Sequence, residues 1–521
     1  FRDSILNGDI KSKVFFIFFK FIFSNLLNLN FSLEIIDDVG RVIQGFFALS
    51  GLTILWLATK KLALRRESKP IDPLGIGPTS EKFSSNIADC SVLITISCLG
   101  LIMPWHELGK TGLNFMLNAT IFFAIVTAPE TPKKAGAFFG ISSSLLMLCS
   151  GVGSFLAVCL AGFVIFFTCN PWTLVKKIFL AFAVLFSVIT FFPVVFFIFT
   201  HSSENLLQTW WQNQLTLDKP QPLYLVKTWL WTWWPLWPIV TAFSIQAYQR
   251  GFLSLSHLKM PLTLLICTVA MPISGIFISD GIKFVPVVPL AVLAAFGLLS
   301  LPRNVANLLD YFALSIFTFL GVMIWMYWLA LHTGSPEFIQ SKVLRAAPGI
   351  SGVYSTKELI LGIVATLAWL MLIGWRIRVS EPLLWRPVIL SAGGLGMTWV
   401  LLINLWGPAL EINRGYSNLT NKIKIAVNDH NVEKSKSCIE IDFNDLKSRA
   451  IILSNSNLQI NQPIKEQLFE CKFLLIRKTT RSNSHEISNP RLKEQKYKLT
   501  WSGHRKADPR QKETFYLYKK N

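Results

Sequence analysis

Two adjacent ionisable residues, His106 and Glu107, are the clearest candidates for chemistry in this sequence. They follow Trp105 at the end of an apolar run. Such a pair at a membrane boundary can relay protons or contact an acceptor, although a simple cap-and-loop pair accounts for it equally well. No CxxC or HExxH pattern occurs, so the sequence predicts no metal site.

A second candidate region is the segment 279–302, which reads SDGIKFVPVVPLAVLAAFGLLSLP. Pro286 and Pro289 lie about one helical turn apart, and proline removes a backbone donor from a helix. In lipid this is tolerated where protein or water satisfies the freed carbonyls. We therefore predict a helix end that faces a cavity, with a plain kinked membrane helix as the alternative. Lys283, just before it, either contacts an anion there or snorkels to the interface.

Composition indicates which elements must position these residues. Apolar residues make up 52% of the 521, and the mean hydropathy is +0.46, which is too apolar for a soluble chain. Runs near the roughly 20 residues needed to span a bilayer recur along the first four-fifths. The predicted helices are 41–59, 88–104, 112–128, 136–152, 154–171, 177–199, 228–247, 259–279, 284–301, 310–331, 359–375 and 387–406.

The loops between these helices alternate in their content of Lys and Arg, which predicts their sidedness. The richer set contains Lys and Arg at 60–69, 82, 133–134, 176–177, 250–259, 303 and 376–386, and we assign it to the cytoplasm. The loops assigned to the outside are 105–111, 200–227, 279–283 and 332–358, together with everything after 406. Much of the +20 net charge is this bias, so it does not indicate nucleic-acid binding.

The sequence changes character at residue 411, where polar and charged residues begin to dominate. CIEIDF, CKFLLIRK, KLTW and ETFYLYKK are typical of strands, and FNDLKSRAIIL is typical of a helix. We predict a small α+β periplasmic domain over 411–521, after a transmembrane domain over 41–410. Cys438 and Cys471 lie in this tail, where a disulfide and two free thiols are both compatible with the sequence.

The first forty residues have the composition of a loop followed by a hydrophobic stretch. The chain begins with Phe1, and FRDSILNGDIKSK is typical of the middle of a loop. We interpret 1–40 as the remnant of a first periplasmic loop in an N-terminally truncated chain. The stretch 14–33 either spans the bilayer or lies as a helix in its interface.

Several segments resemble the bacterial polytopic glycosyltransferases of the GT-C type, the group of the lipid A aminoarabinose transferase and protein mannosyltransferase-like enzymes. FVPVVPLAVLAAF resembles their YLLPLLPPLALLAA segment. DDVGRVIQGFFALSGLTILWLATKKL resembles their ARLPSALAGLLTVLLVYLLARRL helix. ILNGDIKSKVFFIFF is similar to their LNG…KPPLYYW stretch, and WSGHRKADPRQKETFYLYKK to the W-G-R-GD-E-F-LYR ending of one subgroup.

This resemblance implies an all-α polytopic membrane fold with about twelve spans here, thirteen in the complete chain, and the C-terminal domain in the periplasm. It implies transfer of a sugar from a polyprenyl-phosphate donor to a periplasmic acceptor such as lipid A, a glycan or a protein. The enzyme would reside in the bacterial inner membrane and need no cofactor. The catalytic carboxylate is expected upstream of Phe1, so we expect this fragment to be inactive.

The resemblance also implies which cations meet the donor phosphate. Lys11 matches the lysine before PPLYYW, although both prolines are absent here and Phe15 and Phe16 replace tyrosines. Lys11, Lys13 and Lys283 are the phosphate candidates, and His106 with Glu107 are the acceptor or relay candidates. A transporter or flippase without covalent chemistry, or an inactive relative, is the alternative. A transporter would be expected to carry charges at mid-membrane.

Overall fold

The structure is a computed structural model, and most of the apolar part of the chain is described. The described residues are 33–69, 78–106, 110–201, 222–273, 284–298, 303–350, 354–378, 386–429, 438–441, 459–461, 473–479, 497–505, 507–508 and 513–520.

Helices dominate the described residues, as the sequence predicted. In chain order they are α1 (Leu33–Ala63), α2 (Ser80–Ile96), α3 (Leu99–His106), α4 (Thr111–Thr127), α5 (Pro132–Ser150), α6 (Val152–Thr168), α7 (Trp172–His201), α8 (Pro222–Thr232), α9 (Leu236–Gln249), α10 (Ser256–Ile273), α11 (Val287–Leu298), α12 (Arg303–Thr333), α13 (Glu337–Ala346), α14 (Thr356–Arg378), α15 (Arg386–Arg414) and α16 (Ser417–Asp429). Short 3₁₀ turns lie at Arg66–Ser68 and Phe252–Ser254.

The described residues do not confirm the predicted count of twelve membrane spans. Among the described residues, six helices are long and apolar enough to cross a bilayer, or up to seven if a bent pair is one span. That pair is α2 and α3, whose axes differ by 71° at the short break between them. The predicted helix 228–247 is also interrupted, because Pro235 lies at the start of α9 and supplies no backbone donor. The protein is a multi-pass membrane protein, and the count of twelve is not confirmed.

The chain divides into two compact units. The helical unit comprises Ile10–Thr318 and Trp369–Gly396, and the mixed unit comprises Phe1–Asp9, Phe319–Ala368 and Met397–Asn521. In the helical unit, α1 packs on α2 and α4, α5 packs on α7, and α11 packs on α2, α9 and α10.

Helix α11 lies at the core of the helical unit, and all of its residues from Val287 to Leu298 are buried. Pro286 precedes the helix and Pro289 lies in its first turn, where the Leu290 amide donates to the Pro286 carbonyl at 3.0 Å. The first amides of any helix have no intrahelical acceptor, so prolines cost little there. The two prolines therefore start a straight buried helix. The predicted cavity before it falls on 274–283, outside the described residues.

The basic end of α1 is held by a compact set of polar contacts. Arg65 donates to the Val126 carbonyl at 3.0 Å and lies over the Trp172 ring at 4.3 Å. Burial lowers the pKa of Arg65, and the carboxylates of Glu67 and Glu130 raise it. Because these groups lie at the end of the span, their polar atoms can stay at the interface predicted to be cytoplasmic.

Two carboxylates within the described helices have polar partners on a neighbouring helix. Asp310 in α12 is 4% exposed and accepts from Arg376 in α14 at 2.8 and 3.0 Å. Asp89 in α2 accepts from the Trp56 indole at 2.7 Å, about one turn from the basic end of α1. Pairing lowers the cost of taking a carboxylate out of water.

The mixed unit contains a five-stranded sheet with the order β2-β1-β3-β5-β4. The strands are β1 (Cys438–Ile441), β2 (Gln459–Asn461), β3 (Phe473–Thr479), β4 (Tyr497–His504) and β5 (Glu513–Lys520). β1 pairs in parallel with β2 and β3, whereas β5 pairs antiparallel with β3 and β4. The four predicted strands are confirmed, while β2 and α16 were not predicted. The predicted helix 443–453 and the side chains of Cys438 and Cys471 lie outside the described residues.

A small apolar core joins α16 to this sheet. Leu419, Ile423 and Val427 recur at helical spacing on α16, and all three are buried. They share one core cluster with residues of β3 and β5, including Phe473 and Phe515. One amphipathic helix thus covers one face of the sheet, although the helix that the sequence predicted for this domain was 443–453.

The orientation can be tested with reporters at the C-terminus. Alkaline phosphatase fused after Asn521 is expected to be active, because the loop charges place everything after 406 outside. Green fluorescent protein fused at the same residue is expected to stay dark. Fluorescence from the second fusion would show that the predicted orientation is inverted.

The Asp310–Arg376 pair can be tested by removing one partner. Asp310→Ala removes the carboxylate partner of the Arg376 guanidinium, and we expect a loss of about 3–5 kcal/mol in the free energy of unfolding. Lys61→Ala is the control, since it breaks an exposed pair with Glu130 worth about 0–1 kcal/mol. Equal thermal stability of the two variants in detergent would contradict this prediction.

Candidate functional site

The candidate site lies where the helical unit brings α1, α3 and α4 together, at the end predicted to face outside. Gln44 comes from α1, Trp105 from α3 and Asn114 from α4. We call these three residues the polar cluster. Each lies within or beside an apolar helix, so its polar atoms must find partners inside the protein or in a ligand.

Helix α3 is fixed beside α1 by polar contacts at both of its ends. The Leu99 amide donates to the Trp234 carbonyl at 3.0 Å, and the preceding Cys98 thiol donates to the Thr232 carbonyl at 2.8 Å. At the other end, the Gln44 amide donates to the Pro104 carbonyl at 3.2 Å. These contacts accompany the 71° bend and hold Trp105 against α4, with its ring 5.2 Å from that of Phe115.

A glycine allows α4 to approach α1 closely. A Cβ atom at Gly112 would lie 2.6 Å from the Gln44 carbonyl oxygen, which is closer than real Cβ atoms come to backbone. Glycine at this position therefore brings the first turn of α4 against the backbone of Gln44. This contact between backbones fixes Gln44 against the first turn of α4.

The polar cluster contains buried atoms without partners among the described residues. They are Gln44 Oε1, Trp105 Nε1, and both Oδ1 and Nδ2 of Asn114. Asn114 is 1% exposed and Gln44 is 2% exposed. Leaving such a group unsatisfied costs about 1–3 kcal/mol, so buried polar groups normally have a protein, water or ligand partner. Trp105 Nε1 and Asn114 Nδ2 are donors, and these two atoms suit an acceptor oxygen of a ligand.

The start of α4 adds positive potential to the same place. Lys110 is the residue before the first turn, and among the described residues no side chain caps that end of the helix. The partial positive charge of a helix N-terminus and a lysine at the same turn both favour an anion. The backbone amide of Asn114, one turn into α4, donates to the Lys110 carbonyl at 2.9 Å. Its side-chain amide has no partner among the described residues.

Of the predicted site residues, the structure describes His106. It ends α3, is exposed, and directly follows Trp105 of the polar cluster. Glu107 lies outside the described residues, and so do Lys11, Lys13 and Lys283. The geometry of these predictions therefore stays untested, while His106 lies at the rim of the polar cluster.

Sequence reasoning missed Gln44 and Asn114. The available signal was an isolated amide within an apolar run, as in RVIQGFFAL and GLNFMLNAT. Such residues are costly in a membrane and often mark a functional site. Among the described residues, no group of three or more His, Cys, Asp or Glu side chains could hold a metal ion.

The close approach at Gly112 can be tested by adding one methyl group. Gly112→Ala is expected to lower the melting temperature in detergent by several degrees, since the methyl meets backbone that cannot easily move. The control is Gly374→Ala, whose Cβ meets nothing within 4 Å and which gains up to about 1 kcal/mol of helix propensity. A Gly112→Ala variant as stable as the control would contradict the observed packing.

Comparison with solved structures identifies the fold of the chain. The chain matches the crystal structure of ArnT from Cupriavidus metallidurans bound to undecaprenyl phosphate, with a TM-score of 0.55 and 11% identity. The apo structure of the same protein matches with a TM-score of 0.50 and 12% sequence identity. Both matches cover 92% of this chain and 83% of the other. No protein-family model and no curated protein sequence matches. The chain has the fold of ArnT, a lipid A aminoarabinose transferase with the GT-C architecture.

Proposed function

We propose that the protein is a membrane glycosyltransferase whose sugar donor is carried on a polyprenyl phosphate. The observation that supports this most is the ArnT fold over 92% of the chain, in a relative whose structure binds undecaprenyl phosphate. Fold alone does not define activity, so the argument also needs a site with suitable chemistry. The polar cluster supplies one.

In this proposal, the polar cluster and the start of α4 hold the donor phosphate. Lys110 and the N-terminus of α4 provide positive potential, while the side-chain amide of Asn114 and the indole of Trp105 provide hydrogen-bond donors. When the sugar–phosphate bond breaks, negative charge grows on the leaving phosphate. Preorganised donors in a water-poor site stabilise such charge more strongly than water does.

The remaining predicted residues enter as further proposals. Lys11, Lys13 and Lys283 are proposed to add positive charge around the phosphate, and His106 with Glu107 to contact the acceptor or relay its proton. The acceptor is a lipid A, a glycan or a protein on the periplasmic side of the inner membrane. We propose no cofactor beyond the lipid-linked donor.

The charges described above favour a transferase over a transporter. A substrate or proton pathway through the bilayer would need ionisable groups near its middle. Asp310 pairs with Arg376 near the ends of α12 and α14, and Asp89 lies about one turn from the basic end of α1. The polar cluster lies at the opposite end of α1, which suits chemistry at one interface.

The proposal predicts binding of undecaprenyl phosphate that depends on the polar cluster. Asn114→Leu is expected to weaken binding about tenfold or more, because it removes both unpaired polar atoms. Its free energy of unfolding should change little, since an apolar side chain of similar size replaces an unsatisfied amide. Native mass spectrometry with undecaprenyl phosphate, and with undecaprenol as the uncharged ligand, measures the affinity.

Asn118→Leu is the matched control for this measurement. Asn118 lies one turn further along α4, is also buried, and already donates to the Asn114 carbonyl at 2.7 Å. Its replacement should cost stability and leave the affinity for the phosphate nearly unchanged. Equal affinity of the two variants, or equal affinity for undecaprenol and its phosphate, would contradict the proposed site.

A further inference from the structure

A separate cavity of about 120 Å³ lies in the mixed unit, among the ends of α12, α14 and α15. Its wall includes Trp328 and His332 from the last turns of α12, Tyr354 and Glu358 at the start of α14, and Asn404 of α15. These helix ends belong to the loop region predicted to face outside. The described lining contains a carboxylate and no lysine or arginine.

Three aromatic rings form one side of this cavity. The ring centroids of Trp328 and His332 are 4.1 Å apart, and the Tyr354 ring lies 5.4 and 5.3 Å from them. Trp328 is buried, whereas Tyr354 is 50% exposed and lies where the cavity meets the protein surface. The faces of Trp and Tyr rings carry negative potential and attract a cation.

The polar atoms of the cavity are mostly hydrogen-bond acceptors. His332 Nδ1 donates to the Trp328 carbonyl at 2.8 Å, so the neutral ring has Nε2 as an acceptor. Asn404 Nδ2 donates to the Val400 carbonyl at 2.8 Å, which leaves Oδ1 as its acceptor. The Glu358 carboxylate has no hydrogen-bond or ion-pair partner among the described residues. A primary ammonium offers three donors and a positive charge, which matches this set.

The size of the cavity and the residues around it indicate which kind of molecule would carry such an ammonium group. A cavity of roughly 150 Å³ admits a ligand of about six heavy atoms, so this one suits an aminoethyl group better than a whole sugar ring. Ile360 and Leu361 follow Glu358 on α14 and are exposed, as acyl-chain contacts would be. Lys357 is also exposed and can meet a phosphate beside the ammonium.

Helix α13, in the same unit, has the composition of an interfacial helix. Ile339 and Val343 are buried, while Phe338 and Leu344 are exposed on a helix that also carries Lys342. We expect such a helix to lie in the plane of the interface, with its cation near lipid phosphates.

We propose that the cavity around Glu358 binds the primary ammonium of an aminophospholipid headgroup, with Trp328, His332 and Tyr354 against it. The site lies in the mixed unit and does not depend on the proposed transfer. It would hold one bilayer lipid against the helix ends that precede the C-terminal sheet domain.

Native mass spectrometry of the full chain can test this with defined lipids. Phosphatidylethanolamine should bind at least about tenfold more tightly than phosphatidylglycerol, which has no ammonium. Glu358→Gln keeps the shape and removes the charge, so it should abolish this preference. Glu337→Gln, on an exposed carboxylate of α13, should keep it. Melting temperatures of both variants, measured alongside, establish that they are folded.

Three results would overturn the proposal. The first is equal binding of the two lipids to the unaltered protein, and the second is an unchanged lipid preference in Glu358→Gln. The third is a rise in melting temperature with free ethanolamine as large as with the lipid, which would show a site for soluble amines. Undecaprenyl phosphate binding should be the same in Glu358→Gln as in the unaltered protein, so failure here is distinguishable from failure of the transferase proposal.

Discussion

The structure depends on one constraint, which is that polar groups within a bilayer must be satisfied inside the protein or by a ligand. Many buried polar side chains meet it locally. Thr59, Thr95 and Thr268 donate to carbonyls in their own helices at 2.7–2.8 Å. Gln44, Trp105 and Asn114 are among the residues that retain unpaired atoms. These three lie on helices that pack together, and because such atoms are costly we propose that a polar ligand completes the structure there.

The same constraint explains how the scaffold around that place is built. The buried helix α11 begins at its prolines, so no backbone donor is lost inside it. Helix α3 bends away from α2 and is held by the carbonyls of Thr232 and Trp234 at one end and by the Gln44 side chain, which donates to the Pro104 carbonyl, at the other. Gly112 lets α4 meet the backbone of Gln44. Ordinary packing rules thus produce a rigid junction whose side chains are not fully satisfied.

Hydropathy predicted the helices well because long apolar runs leave few alternatives to a membrane helix. It could not predict that α2 and α3 are a bent pair, since the bend depends on contacts with residues over a hundred positions away, such as Thr232. The segments KLTW and ETFYLYKK were predicted as strands and correspond to β4 and β5, whereas the three-residue β2 is too short to show a sequence pattern. His106 was predicted with Glu107 as an ionisable pair, and its role stays a prediction, although it directly follows Trp105 of the polar cluster. Gln44 and Asn114 were missed because an uncharged amide stands out weakly in a sequence.

The most direct test is a structure determined by cryo-electron microscopy with undecaprenyl phosphate present. Phosphate density within hydrogen-bonding distance of Asn114 and Trp105, next to Lys110 at the start of α4, is the expected result. Lipid phosphate at another place, with the unpaired atoms of Gln44 and Asn114 bonded to ordered water, would contradict the proposed site.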